Sequence, residues 1–145
     1  MRCCAPGPTR CYDKGMDAIL VPLSPGELLD KITILRIKSA RIEDAGKLGN
    51  VRRELALLEQ HWRASIPAGA GLADDEAALQ RVNSELWDIE DRIRSHEAQQ
   101  RFDAGFIELA RAVYLRNDER AAIKQRINLK LDSAIVEEKS YQPYR

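Results

Sequence analysis

The sequence holds little of what site chemistry usually needs. Among its 145 residues there are two histidines, His61 and His96, and three cysteines. Cys3, Cys4 and Cys11 all fall within the first eleven positions. A zinc site normally gathers four ligands, and a disulfide framework spreads its cysteines through the fold. Neither is expected, and no metal or cofactor is implied. Lys plus Arg number 23 and Asp plus Glu 23, so no net field draws nucleic acid or an anionic membrane. No apolar run is long enough to span a bilayer, and the first residues lack the apolar stretch of a secretory signal. The expected location is a reducing cytoplasm. No motif fixes a reaction.

What is present is helical periodicity. Residues 1–15 are expected to be a disordered extension from a misassigned start, because Met16 precedes a better patterned stretch. Residues 16–145 read as a single helical domain. The run Ile19–Val21 is β-prone. "SPGE" then supplies Ser24 as N-cap, Pro25 at the first helical position and Glu27 as the returning acid of a capping box. A first helix should run to about Glu43, with Leu28, Ile32, Leu35 and Ile42 on one face and apolar contact from a second side. A second carries Leu48, Val51, Leu55, Leu58 and Trp62 and ends near Ile66. After "IPAGAGLADD", with Asp74 or Asp75 as cap, a third helix places Leu79, Val82, Leu86, Ile89 and Ile93 inward and ends near Arg101. A fourth runs from "FDAG" to about Leu131. The expected fold is mainly α, an antiparallel bundle of two helical hairpins. A two-stranded β ribbon should join Ile19–Val21 to Ala134–Val136.

The unusual feature is charge on the apolar sides. On a wheel at about 100° per residue, Arg120 falls near the middle of the fourth helix's apolar arc. Asn117 and Lys124 lie within roughly 60° of it, and Glu90 and Glu97 lie within about 40° of Leu86 on the third helix. Asn83 lies slightly further away, and Lys31 and Lys38 flank Leu28 and Leu35. Buried charges must meet partners, so Glu90 and Glu97 are expected opposite Arg120 and Lys124. One reading is an ion-pair network that fixes helix register. The other is a cleft for an anionic small molecule, with Arg120, Lys124 and Lys31 as the grip.

Other candidates are weaker. His96 reads as a hydrogen-bonded core residue, and Trp62 and Trp87 as packing aromatics. Glu27 with Asp30, and Glu85 with Asp88, resemble the paired carboxylates of all-α nucleotide pyrophosphatases. On the wheels both pairs project away from the seams, where no four-carboxylate cage can assemble. Chorismate-mutase-like helices also place Arg and Lys in a bundle cleft, but their full pattern is not matched. Lys139, Ser140 and Tyr141 would lie beside the start of the first helix if the ribbon formed. There the "SPGE" turn and its free N–H groups could edge an anion pocket.

The blocks "PLSPGELLDKITILRIKSARI", "NSELWDIEDRIR", "FIELARAVYLRNDERAAIKQRIN" and "EEKSYQPY" together resemble an uncharacterised family of small bacterial proteins, a domain of unknown function. The resemblance spans roughly Val21–Tyr144. It implies an association with surface-polysaccharide assembly but no activity. The leading expectation is a cytoplasmic accessory or interaction protein with a protein partner or a second copy of itself. Exposed seam near Phe102 and Phe106 supports the homo-oligomer. The alternative is a binder or enzyme for a nucleotide or sugar phosphate.

Overall fold

A computed structural model describes residues 16–144. The three cysteines and the expected extension lie outside the described residues. Four helices follow in order: α1 (Pro25–Arg41), α2 (Ala45–Ser65), α3 (Ala73–Ala98) and α4 (Ala104–Lys130). Their starts follow local chemistry. The Ser24 hydroxyl accepts from the Glu27 N–H, Asp44 from Lys47, and Asp103 from Phe106, each satisfying a donor that has no partner within the helix. α3 differs from expectation. Leu72 stands at its N-cap with no side-chain bond, and the helix starts at Ala73. Asp74 and Asp75, either of which is the expected cap, therefore lie inside its first turn, and Asp75 is engaged elsewhere. Its buried carboxylate reaches Arg126 at 3.1 Å and Lys130 at 2.6 Å on α4. Burial would raise the Asp75 carboxyl, but Lys130 and Arg126 hold it below the usual range.

α1 is the central element and packs against α2, α3 and α4, whereas α2, among the described residues, packs its backbone against α1 alone. That is one more neighbour for α1 than its sequence pattern suggests. The main core joins Leu29 of α1 to Leu79, Val82 and Leu86 of α3 and to Ile123 and Ile127 of α4. Trp62 and Ile66 at the end of α2 lean on the same cluster. Arg36 adds a polar tie, bonding Glu59 of α2 at 3.0 Å and also Glu76 of α3.

The expected β ribbon does not form; the described residues contain no strand. Ile19, Leu20 and Val21 remain 74%, 85% and 66% exposed. The C-terminal segment is drawn to the side of α4 by its side chains instead. Glu137 contacts Lys124, and Tyr144 stacks edge-on against Tyr114 with ring centroids 5.1 Å apart. A segment pinned by side chains to a helix has no backbone ladder to offer the lead-in.

Candidate functional site

Where α1 crosses the α3–α4 pair, a line of polar side chains runs through the interior. Asp30 and Thr33 come from α1, Asn83 from α3, and Lys124 and Asn128 from α4. All are buried. The Asn83 amide donates to Asp30 Oδ1 at 2.8 Å and to Thr33 Oγ1 at 3.0 Å. The Thr33 hydroxyl in turn donates to the Asp30 carbonyl at 2.8 Å. Both amide hydrogens of Asn83 are thereby used, which leaves its Oδ1 to accept from Arg120 Nη1 at 3.4 Å. A carboxylate only accepts and a guanidinium only donates, so these neighbours settle which way the amide faces.

Arg120 opens from this line into a cleft of about 570 Å³ between the three helices. Ile34 and Ile37 of α1, Trp87 and Glu90 of α3, and Asn117 of α4 line it, with Asp91 and Arg94 at the α3 edge. Arg41, which is paired with Asp88, lies 5.8 Å from the Trp87 ring centre. Three arginines among the described residues are half-buried: Arg36, Arg116 and Arg120. Arg36 holds Glu59 and Glu76, and Arg116 holds Glu85 and Glu119. Arg120 has no carboxylate within ion-pair distance among the described residues; its one partner is the neutral Asn83 amide.

One turn further along α4, Lys124 is fully supplied. Its ammonium meets Glu27 at 2.5 Å and Glu137 at 2.9 Å. Burial would lower its pKa, but Glu27, Glu137 and Asp30 carry it above the ordinary lysine value. Beside it, Asn128 Oδ1 accepts from the Gly26 N–H at 2.8 Å. Gly26 is required there: a Cβ would stand 2.5 Å from the Lys124 carbonyl oxygen. The first turn of α1 is therefore closed to an anion. Pro25 has no N–H, Gly26 gives its own to Asn128, Glu27 to the Ser24 hydroxyl and Leu28 to the Ser24 carbonyl.

The expected constellation is thus divided. Asn83, Glu90, Asn117 and Arg120 border one cleft, while Lys124, Lys139 and Tyr141 border another beneath the C-terminal segment. Glu90 and Glu97 do not answer Arg120 and Lys124. Glu90 is exposed and lies 3.6 Å from Arg94, and Glu97 is exposed. Lys31 is exposed and Lys38 half-buried, and neither lines the Arg120 cleft. Glu27 and Asp30, expected to project away from the seams, instead face α4 and α3. A helix wheel gives the face of a residue but not the helix it meets, and the close approach at Gly26 carries that face of α1 onto α4. Glu85 bonds Arg81 and Arg116, and Asp88 bonds Arg41, so that pair is also spent on arginines. His96 is buried, with Nε2 accepting from Arg101 at 2.8 Å. No group of three or more His, Cys, Asp or Glu among the described residues could hold a metal ion, and no described helix is long and apolar enough to cross a membrane.

The sequence reading missed Thr33 and Asn128 altogether. Thr33 hides inside an otherwise apolar stretch, and Asn128 follows Ile127 at the buried edge of the fourth helix. Their signal was a polar residue within an apolar period, the same signal that marked Asn83.

Neither a curated protein nor a solved structure matches the chain. Residues 19–144, the stretch that carries all four helices and the C-terminal segment, match the model of a family of unknown function, DUF6165, and the chain belongs to that family.

Proposed function

We propose that the protein binds a small anionic molecule in the Arg120 cleft. The observation that carries this is the contrast among the half-buried arginines, of which Arg120 alone has no carboxylate. A partly desolvated guanidinium attracts an oxyanion strongly, and its planar fork suits phosphate or carboxylate. The Asn83–Asp30 support engages one guanidinium nitrogen, and Arg120 lines the cleft. Asn117 adds an amide, Ile34, Ile37 and Trp87 give an apolar wall, and Asp91 can accept from a hydroxyl. A phosphate attached to a sugar or nucleoside meets all of these groups. Such a ligand also suits the association with surface-polysaccharide assembly that the family resemblance implies.

The test is a thermal-shift panel of sugar phosphates, nucleotide sugars and nucleotides against wild type and Arg120→Gln. A ligand at a hundredfold its Kd stabilises by about 2.7 kcal/mol, several degrees for a domain of this size. The shift should vanish in Arg120→Gln, which itself should cost under about 1 kcal/mol because no carboxylate is orphaned. A flat panel on well-folded wild type would overturn the reading.

A second reading, an interaction module, is favoured by one observation. Ile19, Leu20, Val21 and Leu23 form an exposed apolar lead-in to α1, a pattern that marks contact surfaces. Sedimentation of wild type and Leu20→Asp distinguishes a self-associating chain from a monomer.

A further inference from the structure

The second cleft, about 280 Å³, lies between α4 and the C-terminal segment and belongs to a different site. Glu137 sits in it with one carboxylate oxygen 2.9 Å from Lys124 Nζ and the other 3.7 Å from Lys139 Nζ. Asn128 also lines the cleft. Its Oδ1 is taken by Gly26, so only its amide hydrogens remain to be offered. Gln125 supplies a second amide. Lys124 is more than nine-tenths buried, with side-chain exposure of 9%.

Lys124 does not need this carboxylate for its own satisfaction. Glu27 already holds it at 2.5 Å, and Asp30 adds its field. Glu137 is the extra partner, and it comes from residues 133–144, which contain no regular structure. Between Ser133, whose N–H reaches the Asn128 carbonyl, and Tyr144, that segment makes no backbone bond to the helices among the described residues. It is fastened at two places: Glu137 on Lys124, and Tyr144 on Asp118 and Tyr114. Seven residue steps between these fastenings can span roughly 23–25 Å when extended. Lys124 and Asp118, six positions apart on a helix, are separated by only about 9 Å along its axis. The segment therefore has slack, and the cleft lies between it and α4. Of the carboxylates at the rim, Asp118 is engaged by the Tyr144 hydroxyl, and Glu138 is exposed.

We infer that Lys124, Lys139, Gln125 and Asn128 form an oxyanion seat for a phosphate group, which Glu137 fills as a built-in carboxylate until phosphate displaces it. Displacement frees the strap at one fastening and leaves the bundle intact, because Glu27 keeps Lys124 paired. The seat is independent of the Arg120 cleft.

Amide NMR relaxation of residues 135–142 in the full chain, which reads backbone mobility directly, tests this with inorganic phosphate as the probe. In wild type, phosphate should raise the mobility of the strap, and sodium chloride at the same ionic strength should not. In Glu137→Ala the strap should be mobile without phosphate. A latch closed about four-fifths of the time lowers apparent affinity about fivefold, so Glu137→Ala should bind phosphate about fivefold more tightly. Lys139→Ala should weaken that binding with the fold unchanged, which avoids altering the buried Lys124. Arg120→Gln should leave the strap response as in wild type, so failure of the Arg120 reading and failure of this one are separable. Strap mobility that ignores phosphate, or equal phosphate affinity in Glu137→Ala and wild type, would overturn the proposal.

Discussion

α1 and α2 are neighbours in one hairpin and differ in almost every other respect. α1 is the shorter, at 17 residues, and buries seven of them; α2 has 21 and buries none. Both have a side-chain N-cap and a regular apolar period. The difference is the number of neighbours. A helix enclosed by three others can bury residues around its circumference, Asp30 and Thr33 included, whereas a helix laid on one neighbour keeps even its apolar face half in water. Periodicity reports that a face exists, and the count of packing partners sets how dry that face becomes.

The sharpest way to break this comparison is to cut matching apolar side chains. Ile32→Ala removes a fully enclosed side chain and should cost about 3–4 kcal/mol in urea unfolding. Lys124→Ala comes next. It leaves Glu27 and buried Asp30 without their cation and should cost about 3 kcal/mol, the low end for a broken buried pair, since Glu27 keeps some access to water. A loss below 1 kcal/mol would mean that Lys124 is held more loosely than its geometry implies. Leu55→Ala on the half-buried face of α2 should cost only about 1 kcal/mol. Equal losses for Ile32→Ala and Leu55→Ala would erase the contrast between the two helices.

The smallest effect is pH-dependent. Lys124 holds the Glu137 carboxyl below the usual glutamate range, with Lys139 adding to it. A depressed carboxyl stabilises above its unfolded pKa, and that stability is lost as pH falls through the folded value. Lys124, shifted upward, keeps its charge throughout this range and loses its contribution only in strong alkali. Asp75 is likewise depressed, so acid weakens its contacts with Lys130 and Arg126 as well as the strap. The strap's part is a partly exposed pair worth under about 1 kcal/mol. Tail mobility, read by amide NMR relaxation, should rise on acidification in wild type and stay flat in Glu137→Ala, where the latch is already gone.

Much of the scaffold was legible in the sequence. "SPGE" located the start of α1, and the spacings of Leu79, Val82 and Leu86 and of Ile123 and Ile127 located the core. The charges near Arg120 and Lys124 were correctly read as lying on the inner side of the last helix. Their partners were not legible. Which carboxylate meets Lys124 depends on how α1 crosses α4, and that is set at Gly26, where the missing side chain lets two backbones touch. The ribbon failed for a related reason: two β-prone runs state a preference, but Glu137 and Tyr144 gave the tail a stronger side-chain attachment elsewhere. Asp74 or Asp75 is the cap the sequence offers, yet α3 starts one residue before them and Asp75 turns to two cations on α4 instead.

The bond between Gly26 and Asn128 spans 102 positions in the chain, and its consequence is one of timing. At 5–20 residues per second, roughly 5–20 s separate the synthesis of its two ends. During that interval the nascent chain has its first helix written but lacks the surface that closes it, so α1 must wait with its apolar side uncovered. The α3–α4 hairpin, whose contacts are local, is assembled last and is also the template on which the earliest helix finally docks. Vectorial synthesis and structural order therefore run in opposite directions in this protein, and its beginning is completed by its end.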